Sequence, residues 1–135
     1  MIQEITDDFS RWRVRKDVMA AMDRNRDEWG AYTTKGAMWA VVENGGTLVK
    51  CGNGEAWLIA QKQDLDLVIV WSGGTRIVQY LPHVMEWAED YARRHGAARI
   101  VMSGRKAWER LLRPYGFYLE SVTMAKELDD VLQDA

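Results

Sequence analysis

A long helix that ends at Gly96 is the feature that most constrains the fold of this chain. Acidic residues at positions 86–90 precede basic residues at 93–95, which is the order that a helix dipole favours. Gly96 supplies the left-handed residue that closes many helices, and Pro82 fits the first turn. The inward side of the helix is predicted at helical spacing, on Tyr80, Val84, Trp87, Ala88, Tyr91 and His95. Such a helix needs an apolar surface to cover, and the preceding segments indicate a sheet.

Strand-like segments separated by glycine turns occupy the stretch before this helix. Residues 37–42 and 47–50 are rich in large and β-branched side chains. Asn44-Gly45 between them is typical of a tight hairpin turn, because both residues tolerate positive φ. These two segments are therefore predicted to form a hairpin.

Two more strands are predicted behind a second turn. Residues 51–54, Cys-Gly-Asn-Gly, form this turn, and a strand follows at 56–60. The most apolar stretch, 65–71, is predicted as a strand that is buried on both faces. Residues 72–75, which contain two glycines, are then predicted to break the sheet before the long helix.

The two ends of the chain complete an α+β fold. A strand at 2–5 and a helix at about 9–22, begun by Thr6, Asp7 and Asp8, come first. After Gly96 the predicted elements are a strand, a helix and a strand, at 99–102, 105–113 and 117–128. Strand–helix–strand order requires a parallel pair, so we expect a central mixed, mostly antiparallel sheet flanked by helices. One domain, 1–135, is expected, with an acidic tail that frays from about residue 129.

The composition indicates a globular protein and disfavours several kinds of site. Hydrophobic residues make up 47% of the 135 positions, which is the range of a protein with an apolar core. Cys51 is the only cysteine, so no internal disulfide can form, and with two histidines it offers too few ligands for a structural zinc site. No apolar run approaches the roughly 20 residues of a membrane helix, and no signal peptide is recognised. We expect a cytoplasmic protein that binds neither metal nor membrane.

A cationic cluster lies in the first predicted helix, at Arg11, Arg13, Arg15 and Lys16. We interpret it as a solvated helix face. The alternative is a nucleic-acid-binding patch. Asp17 and further acidic residues close by, together with the net charge of −2, disfavour nucleic acid as the partner.

The second half of the chain resembles the GNAT acetyltransferase superfamily. The similarity rests on residues 87–101, which match the long helix and following strand of those enzymes, and on residues 107–117, which match the next helix and its Gly-Phe ending. Together with the order of segments, it extends over residues 2–128. The resemblance implies a GNAT-like fold and, for an active member, acetyl-CoA as the cofactor and N-acyl transfer as the reaction.

The resemblance also implies a cofactor loop between a strand and the long helix. Members of the family have glycines there, so that backbone N–H groups can approach the CoA diphosphate. The corresponding positions in this chain hold Ile77, Gln79 and Leu81. A displaced cofactor site is the alternative, on Val70, Trp71, Gly73, Gly74, Thr75 and Arg76.

The catalytic groups that the resemblance implies are replaced as well. The tyrosine that protonates the leaving thiolate, four residues before Gly116, would fall on Leu112. Tyr115 is the tyrosine nearest to it in sequence, and Glu43 and Glu55 are carboxylates available as a general base. These three residues are the candidate catalytic groups, and the sequence leaves open whether the chain is an enzyme.

A narrower similarity is to small GNAT-like proteins of tailed bacteriophages, of the internal virion protein type. It rests on the short length, on the turn at 51–54 before Trp57, and on Gly104, Arg105 and Trp108. It implies a non-catalytic protein without a cofactor that acts through protein contacts in virion assembly, genome ejection or host interference, in the host cytoplasm or the virion. The alternative is an acetyl-CoA-dependent N-acetyltransferase. A contact function predicts an exposed patch drawn from four tryptophans, namely Trp12, Trp29, Trp39 and Trp108.

Overall fold

The computed structural model describes residues 1–26, 29, 32–102 and 106–118. The elements are, in chain order, β1 (Ile2–Ile5), α1 (Asp8–Arg24), α2 (Lys35–Glu43), β2 (Thr47–Cys51), β3 (Ala56–Gln63), β4 (Asp66–Gly74), α3 (Ile77–Arg94), β5 (Arg99–Met102) and α4 (Lys106–Leu112), with a 3-10 turn at Arg113–Tyr115. By its internal contacts the chain divides into two compact units, Met1–Arg105 and Lys106–Ala135. No helix in the described ranges has both the length and the apolarity that a membrane span requires.

The first unit is built on a five-stranded sheet in the order β1-β2-β3-β4-β5. The first four strands pair antiparallel with their neighbours, whereas β4 and β5 run parallel. A parallel connection needs a crossover element, and α3 supplies it. The predicted class, a mixed and mostly antiparallel sheet flanked by helices, is confirmed.

Helices cover both faces of this sheet. On one face, Val18 and Met22 of α1 and Met38 of α2 form a cluster with strand residues that include Trp57 and Trp71. The alternate strand residues point to the opposite face, because side chains alternate along a strand. There α3 contacts β3, β4 and β5, and it buries Leu81, Val84, Met85, Ala88 and Ala92.

The first two elements begin where the sequence predicts. β1 has the predicted bounds, and Asp7 caps α1. The Asp7 carboxylate accepts hydrogen bonds from the backbone N–H and the hydroxyl of Ser10, both at 2.8 Å. These hydrogen bonds, the backbone one first, lower the pKa of Asp7, because they stabilise its ionised form.

The predicted strand at 37–42 was wrong, since these residues lie in α2. Thr34 begins the helix by accepting a hydrogen bond on its side-chain oxygen from the backbone N–H of Ala37, at 3.1 Å. A short apolar run fits a buried helix as well as a strand, and the N-cap decides between them.

The predicted hairpin turn after this segment ends a helix instead. Gly45 has φ of 100°, and the N–H of Gly46 donates to the carbonyl of Val41 at 2.8 Å. This is the hydrogen bond that closes a helix through a left-handed residue. The hairpin that does form is the next one, in which Cys51 pairs with Ala56 across the predicted turn at 51–54.

The break predicted at 72–75 was also wrong, because β4 continues to Gly74. Its burial alternates from Asp66 to Trp71 instead of being complete on both faces. α3 then starts at Ile77, five residues before Pro82, which lies inside the helix and not in its first turn. The N-cap is Arg76, whose side chain makes no capping hydrogen bond, so the usual sequence signal for a helix start is missing.

The aromatic residues predicted to face inward from α3 lie at the margin of its buried face. Val84 and Ala88 are buried as predicted, but the ring of Trp87 is half-buried. Its indole N–H donates to the carboxylate of Glu4 at 3.3 Å, and Arg94 donates to the same oxygen at 3.3 Å. These hydrogen bonds connect β1 to the last turn of α3. The predicted left-handed end at Gly96 is confirmed, with φ of 73°.

The second unit contains the predicted short helix. α4 buries Trp108 and Leu112, and the turn after it ends at Gly116 with φ of 90°. The last predicted strand, at 117–128, lies outside the described residues except for its first two positions, which form no regular structure.

Candidate active site

The strand that leads into α3 carries a β-bulge at Val70. In the β3–β4 pairing, Ile59 lies opposite Trp71 and Ala60 lies opposite Ile69, so Val70 has no partner on β3. The extra residue of a bulge is left out of the ladder, and bulges recur next to active sites, where they redirect the chain. The main chain at Val70 is therefore free of pairing with β3.

β4 and β5 separate at the same level of the sheet. Their pairing runs from Asp66 opposite Arg99 to Ile69 opposite Met102, where β5 ends. Beyond that point the second edge of β4, along residues 70–74, pairs with no described strand. An unpaired strand edge beside a bulge offers main-chain donors and acceptors to a bound chain or ligand.

Two buried polar groups without a partner lie on this part of β4. Neither the indole N–H of Trp71 nor the hydroxyl of Ser72 has a hydrogen-bond partner among the described residues. Both residues are almost fully buried. Buried polar groups are normally hydrogen-bonded, so two adjacent exceptions mark this strand as unusual.

The two glycines of the predicted displaced loop are explained by close packing in the sheet. A Cβ atom at Gly74 would clash with the carbonyl oxygen of Glu55 and lie 2.5 Å from the Cα of Ala56. A Cβ at Gly73 would lie 2.6 Å from the ring of Trp71. The fold itself therefore requires glycine at position 74 and disfavours a side chain at position 73, whether or not a cofactor binds.

The residues that follow β4 are fixed to the chain before β3. The backbone N–H of Thr75 donates to the carbonyl of Glu55 at 2.8 Å, and its hydroxyl donates to the same oxygen at 3.2 Å. The guanidinium of Arg76 lies 3.7 Å from the carboxylate of Glu55. The structure thus brings together three of the predicted site residues, Glu55, Thr75 and Arg76, at the start of α3.

Tyr80 joins this group, although no sequence motif predicts it there. Burial and a hydrogen bond to the Glu55 carboxylate raise the pKa of the Tyr80 hydroxyl. The hydroxyl lies so close to Gly52 that a Cβ there would clash with it. Tyr80 is 25 positions from Glu55 in the sequence, so only the fold shows that the two residues meet.

Of the other two predicted catalytic groups, Glu43 is not part of this cluster. Glu43 is exposed at the end of α2, before β2 begins, whereas Glu55 follows β2. The length of β2 therefore separates these two carboxylates. Tyr115 lies in the second unit and is exposed.

Two members of the cationic cluster of α1 interact with other residues of the first unit. Arg11 donates to the carbonyl of Ile5 at 3.2 Å, and the guanidinium of Arg15 lies 5.7 Å from the centre of the Trp39 ring. No group of three or more potential metal ligands occurs among the described residues.

Solved structures of acetyltransferases match this fold, although no protein-family model and no curated protein sequence matches the chain. An aminoglycoside antibiotic 6'-N-acetyltransferase from Acinetobacter haemolyticus matches with a TM-score of 0.63 and 10% identity, over 96% of this chain and 99% of the other. A probable acetyltransferase matches with a TM-score of 0.61 and 11% identity, over 95% and 96%. Glucosamine-6-phosphate N-acetyltransferase from Arabidopsis thaliana gives 0.56 and 12%, over 96% and 99%.

These matches define the class of fold. The chain has a GNAT-like fold, shared with N-acetyltransferases over nearly its whole length. At identities of 10–12%, this likeness shows the fold alone, because one fold can carry many different chemistries.

Proposed function

We propose that the chain is a GNAT-superfamily protein of the bacteriophage type that does not transfer acyl groups and acts through protein contacts. The observation that carries the proposal is the chemistry at the start of α3. Diphosphate recognition there needs free backbone N–H groups and room for the phosphates to reach them. In this chain, two of these donors and the nearest cation are already engaged.

Two of the backbone donors around the start of α3 have partners within the protein. The N–H of Thr75 donates to Glu55, and the N–H of Gln79 donates to the carbonyl of Arg76 at 3.1 Å. The side chains of Ile77 and Gln79 occupy positions at which the resembling family has glycine. Side chains at these positions keep the backbone from approaching a phosphate.

The charge at this position is also unsuitable for an anion. The Glu55 carboxylate lies 3.7 Å from the guanidinium of Arg76, which is the nearest predicted phosphate ligand. It also accepts a hydrogen bond from the Tyr80 hydroxyl. A diphosphate bound there would have to displace a carboxylate or lie beside it, and like charges at short range repel. We therefore expect no cofactor. Contacts in virion assembly, genome ejection or host interference remain as the proposed role, in the host cytoplasm or the virion.

Calorimetric titration with acetyl-CoA tests this proposal. We expect no binding heat at millimolar cofactor, and dissociation constants in the low micromolar range would refute the proposal. Acetyl-pantetheine, which lacks the diphosphate, is the matched second ligand. Binding of both ligands would indicate a functional acyltransferase, whereas the proposal predicts that neither ligand binds.

An acetyl-CoA-dependent N-acetyltransferase is the second candidate, favoured by the bulge at Val70. In this hypothesis the main chain of Val70 and Trp71, beside the point where β4 and β5 part, orients the thioester carbonyl. Residues 73–76 hold the phosphates, and acetyl-CoA supplies the acyl group. Direct transfer to an amine depends mainly on positioning, so few catalytic side chains are needed.

Release of free CoA thiol in the presence of a panel of primary amines tests this second candidate. Replacing Arg76 by alanine should then raise the KM for acetyl-CoA roughly tenfold, because a charged contact to phosphate is lost. Gly74→Val is unsuitable for this purpose, since it would disrupt the β3–β4 contact whatever the cofactor does. Absence of thiol release with every amine, from folded protein, would count against this candidate.

A further inference from the structure

The outer face of α1 carries two large aromatic rings in solvent. Phe9 is 66% exposed and Trp12 is 72% exposed. Their ring centroids lie 6.4 Å apart with an angle of 26° between the ring planes, so the two rings stack on each other. Arg13 and Lys16 extend the same face, because residues at i, i+3, i+4 and i+7 share one side of a helix. We call these four residues the Phe9–Trp12 face.

Packing within the first unit does not account for these rings. Trp29 and Trp39 were predicted as further members of an exposed patch, but they are buried, as is Trp108 in the second unit. Trp12 is thus the one exposed member of the four predicted tryptophans. Its neighbour in the patch is Phe9, which composition alone did not single out. Exposed tryptophan next to arginine is the composition typical of energetically dominant residues in protein interfaces.

The charges of the face indicate the chemistry of the partner. The guanidinium of Arg13 lies 5.9 Å from the centre of the Phe9 ring. Among the described residues, no carboxylate forms an ion pair with Arg13 or Lys16. By contrast, Arg11 is held by the Ile5 carbonyl and lies 3.9 Å from Asp8. The face therefore presents apolar rings together with two positive charges that form no ion pair with a described carboxylate.

We propose that the Phe9–Trp12 face docks an acidic amphipathic helix of a protein partner. Apolar side chains of that helix would cover the rings, and its carboxylates would pair with Arg13 and Lys16. A second copy of this chain would place the same two cations against each other. Asp8 and Asp17, which are both exposed, disfavour a nucleic acid more than an acidic helix, because every nucleotide carries a phosphate, whereas a helix can confine its carboxylates to the side that faces the two cations. The inference rests on the proposed contact function and adds to it the surface and the class of partner.

Fluorescence anisotropy with a labelled synthetic peptide tests the inference. The peptide has about 18 residues, with leucine at helical spacing and glutamate at the other positions. A second peptide carries lysine in place of every glutamate. Titrations with the full-length protein at about 50 mM and about 300 mM salt show how far the binding depends on charge.

Three variants make this test specific to the face. Trp12→Ala should weaken binding of the glutamate peptide at least roughly tenfold, as expected for an interface anchor. The double variant Arg13→Glu with Lys16→Glu should abolish it. Arg24→Glu is the matched control, since it reverses an exposed charge at the far end of the same helix. This control should leave the affinity within about twofold.

Several results would overturn the inference. Equal affinity of the two peptides, or equal binding by Trp12→Ala and the wild type, would exclude the proposed docking mode. Trp12-dependent binding of single-stranded oligodeoxynucleotide in place of the peptide would assign the face to nucleic acid. Trp12-dependent dimers in sedimentation would assign it to a second copy.

The failure of this inference can be told apart from failure of the proposed function. Acetyl-CoA titration of wild type and Trp12→Ala reports on the proposed function alone, because Trp12 lies on the outer face of α1. Cofactor binding together with intact peptide binding would refute the proposed function and keep this inference. Absence of both would refute this inference and keep the proposed function.

Discussion

Replacing Gly74 by alanine should destabilise the protein much more than the same change at Gly45. Both glycines have positive φ, of 130° and 100° respectively. They differ in their surroundings, because a Cβ at Gly45 meets nothing within 4 Å. A Cβ at Gly74 meets backbone atoms of Glu55 and Ala56, which cannot rotate away as a side chain can.

The expected magnitudes follow from these two contributions. Alanine at Gly45 adds backbone strain alone, which costs roughly 1–2 kcal/mol. Alanine at Gly74 adds strain of roughly 1–3 kcal/mol and an overpacking cost of roughly 1–3 kcal/mol, so the total is about 2–6 kcal/mol. Gly36, inside α2 and open to solvent, is the opposite control. Alanine there should stabilise the protein by about 0.5–1 kcal/mol through helix propensity.

Urea denaturation followed by tryptophan fluorescence and far-ultraviolet circular dichroism measures all three variants. A loss of about 3 kcal/mol corresponds to a melting temperature lower by roughly 10 °C for a chain of this size. If Gly74→Ala were within about 1 kcal/mol of Gly45→Ala, the close β3–β4 contact would not exist as described. Such a result would favour the alternative in which Gly74 belongs to a loop that binds the phosphates of the cofactor.

Three further outcomes are expected. Ser72→Ala should stabilise the protein by about 1 kcal/mol in the same denaturation assay, because it removes a buried hydroxyl without a partner; a loss of stability would show that the hydroxyl is hydrogen-bonded in solution. Burial raises the pKa of Cys51 to about 11, so its thiol should resist disulfide reagents at pH 8 until the protein unfolds, and rapid labelling of the native state would contradict this. Hydrogen bonds from Arg99 lower the pKa of Asp66, so this pair stabilises the fold above about pH 3.9 and loses that contribution as the pH falls through the lower folded-state pKa. Asp66→Asn should therefore destabilise the protein at pH 7, and this effect should shrink as the pH falls below about 3.9, whereas an effect that did not change with pH would refute the assignment.

Local signals predicted the elements whose ends are marked by caps. Asp7 at the start of α1, the turn at 51–54 and the left-handed Gly96 are each set by neighbouring residues, and each was predicted correctly. The segment 37–42 failed because its apolar side chains suit either structure. The cap at Thr34, which lies outside that window, decides in favour of the helix.

The candidate site was less predictable, because it depends on contacts between distant segments. The bulge at Val70 is a property of the register between β3 and β4, and no residue type near it announces a bulge. Gly73 and Gly74 suggested a turn, since glycine usually signals one, but both lie within a strand, where the close approach of β3 requires glycine at position 74 and the Trp71 ring crowds position 73. The contact of Tyr80 with Glu55 likewise forms only when α3 packs against the sheet.

The hydrogen bonds of Glu4 with Trp87 and Arg94 have a consequence for synthesis. Within the first unit, β1 is made before the other elements, yet its sheet partner β2 ends at Cys51 and its contacts on α3 come as late as residue 94. The strands β2 to β4 can pair as soon as residue 74 has been made, since each follows its neighbour through a short turn. The residues of β1, although they are made before the rest of the first unit, are therefore among the last of this unit to be fixed. A chain that stopped before residue 87 would leave Glu4 without both of these partners.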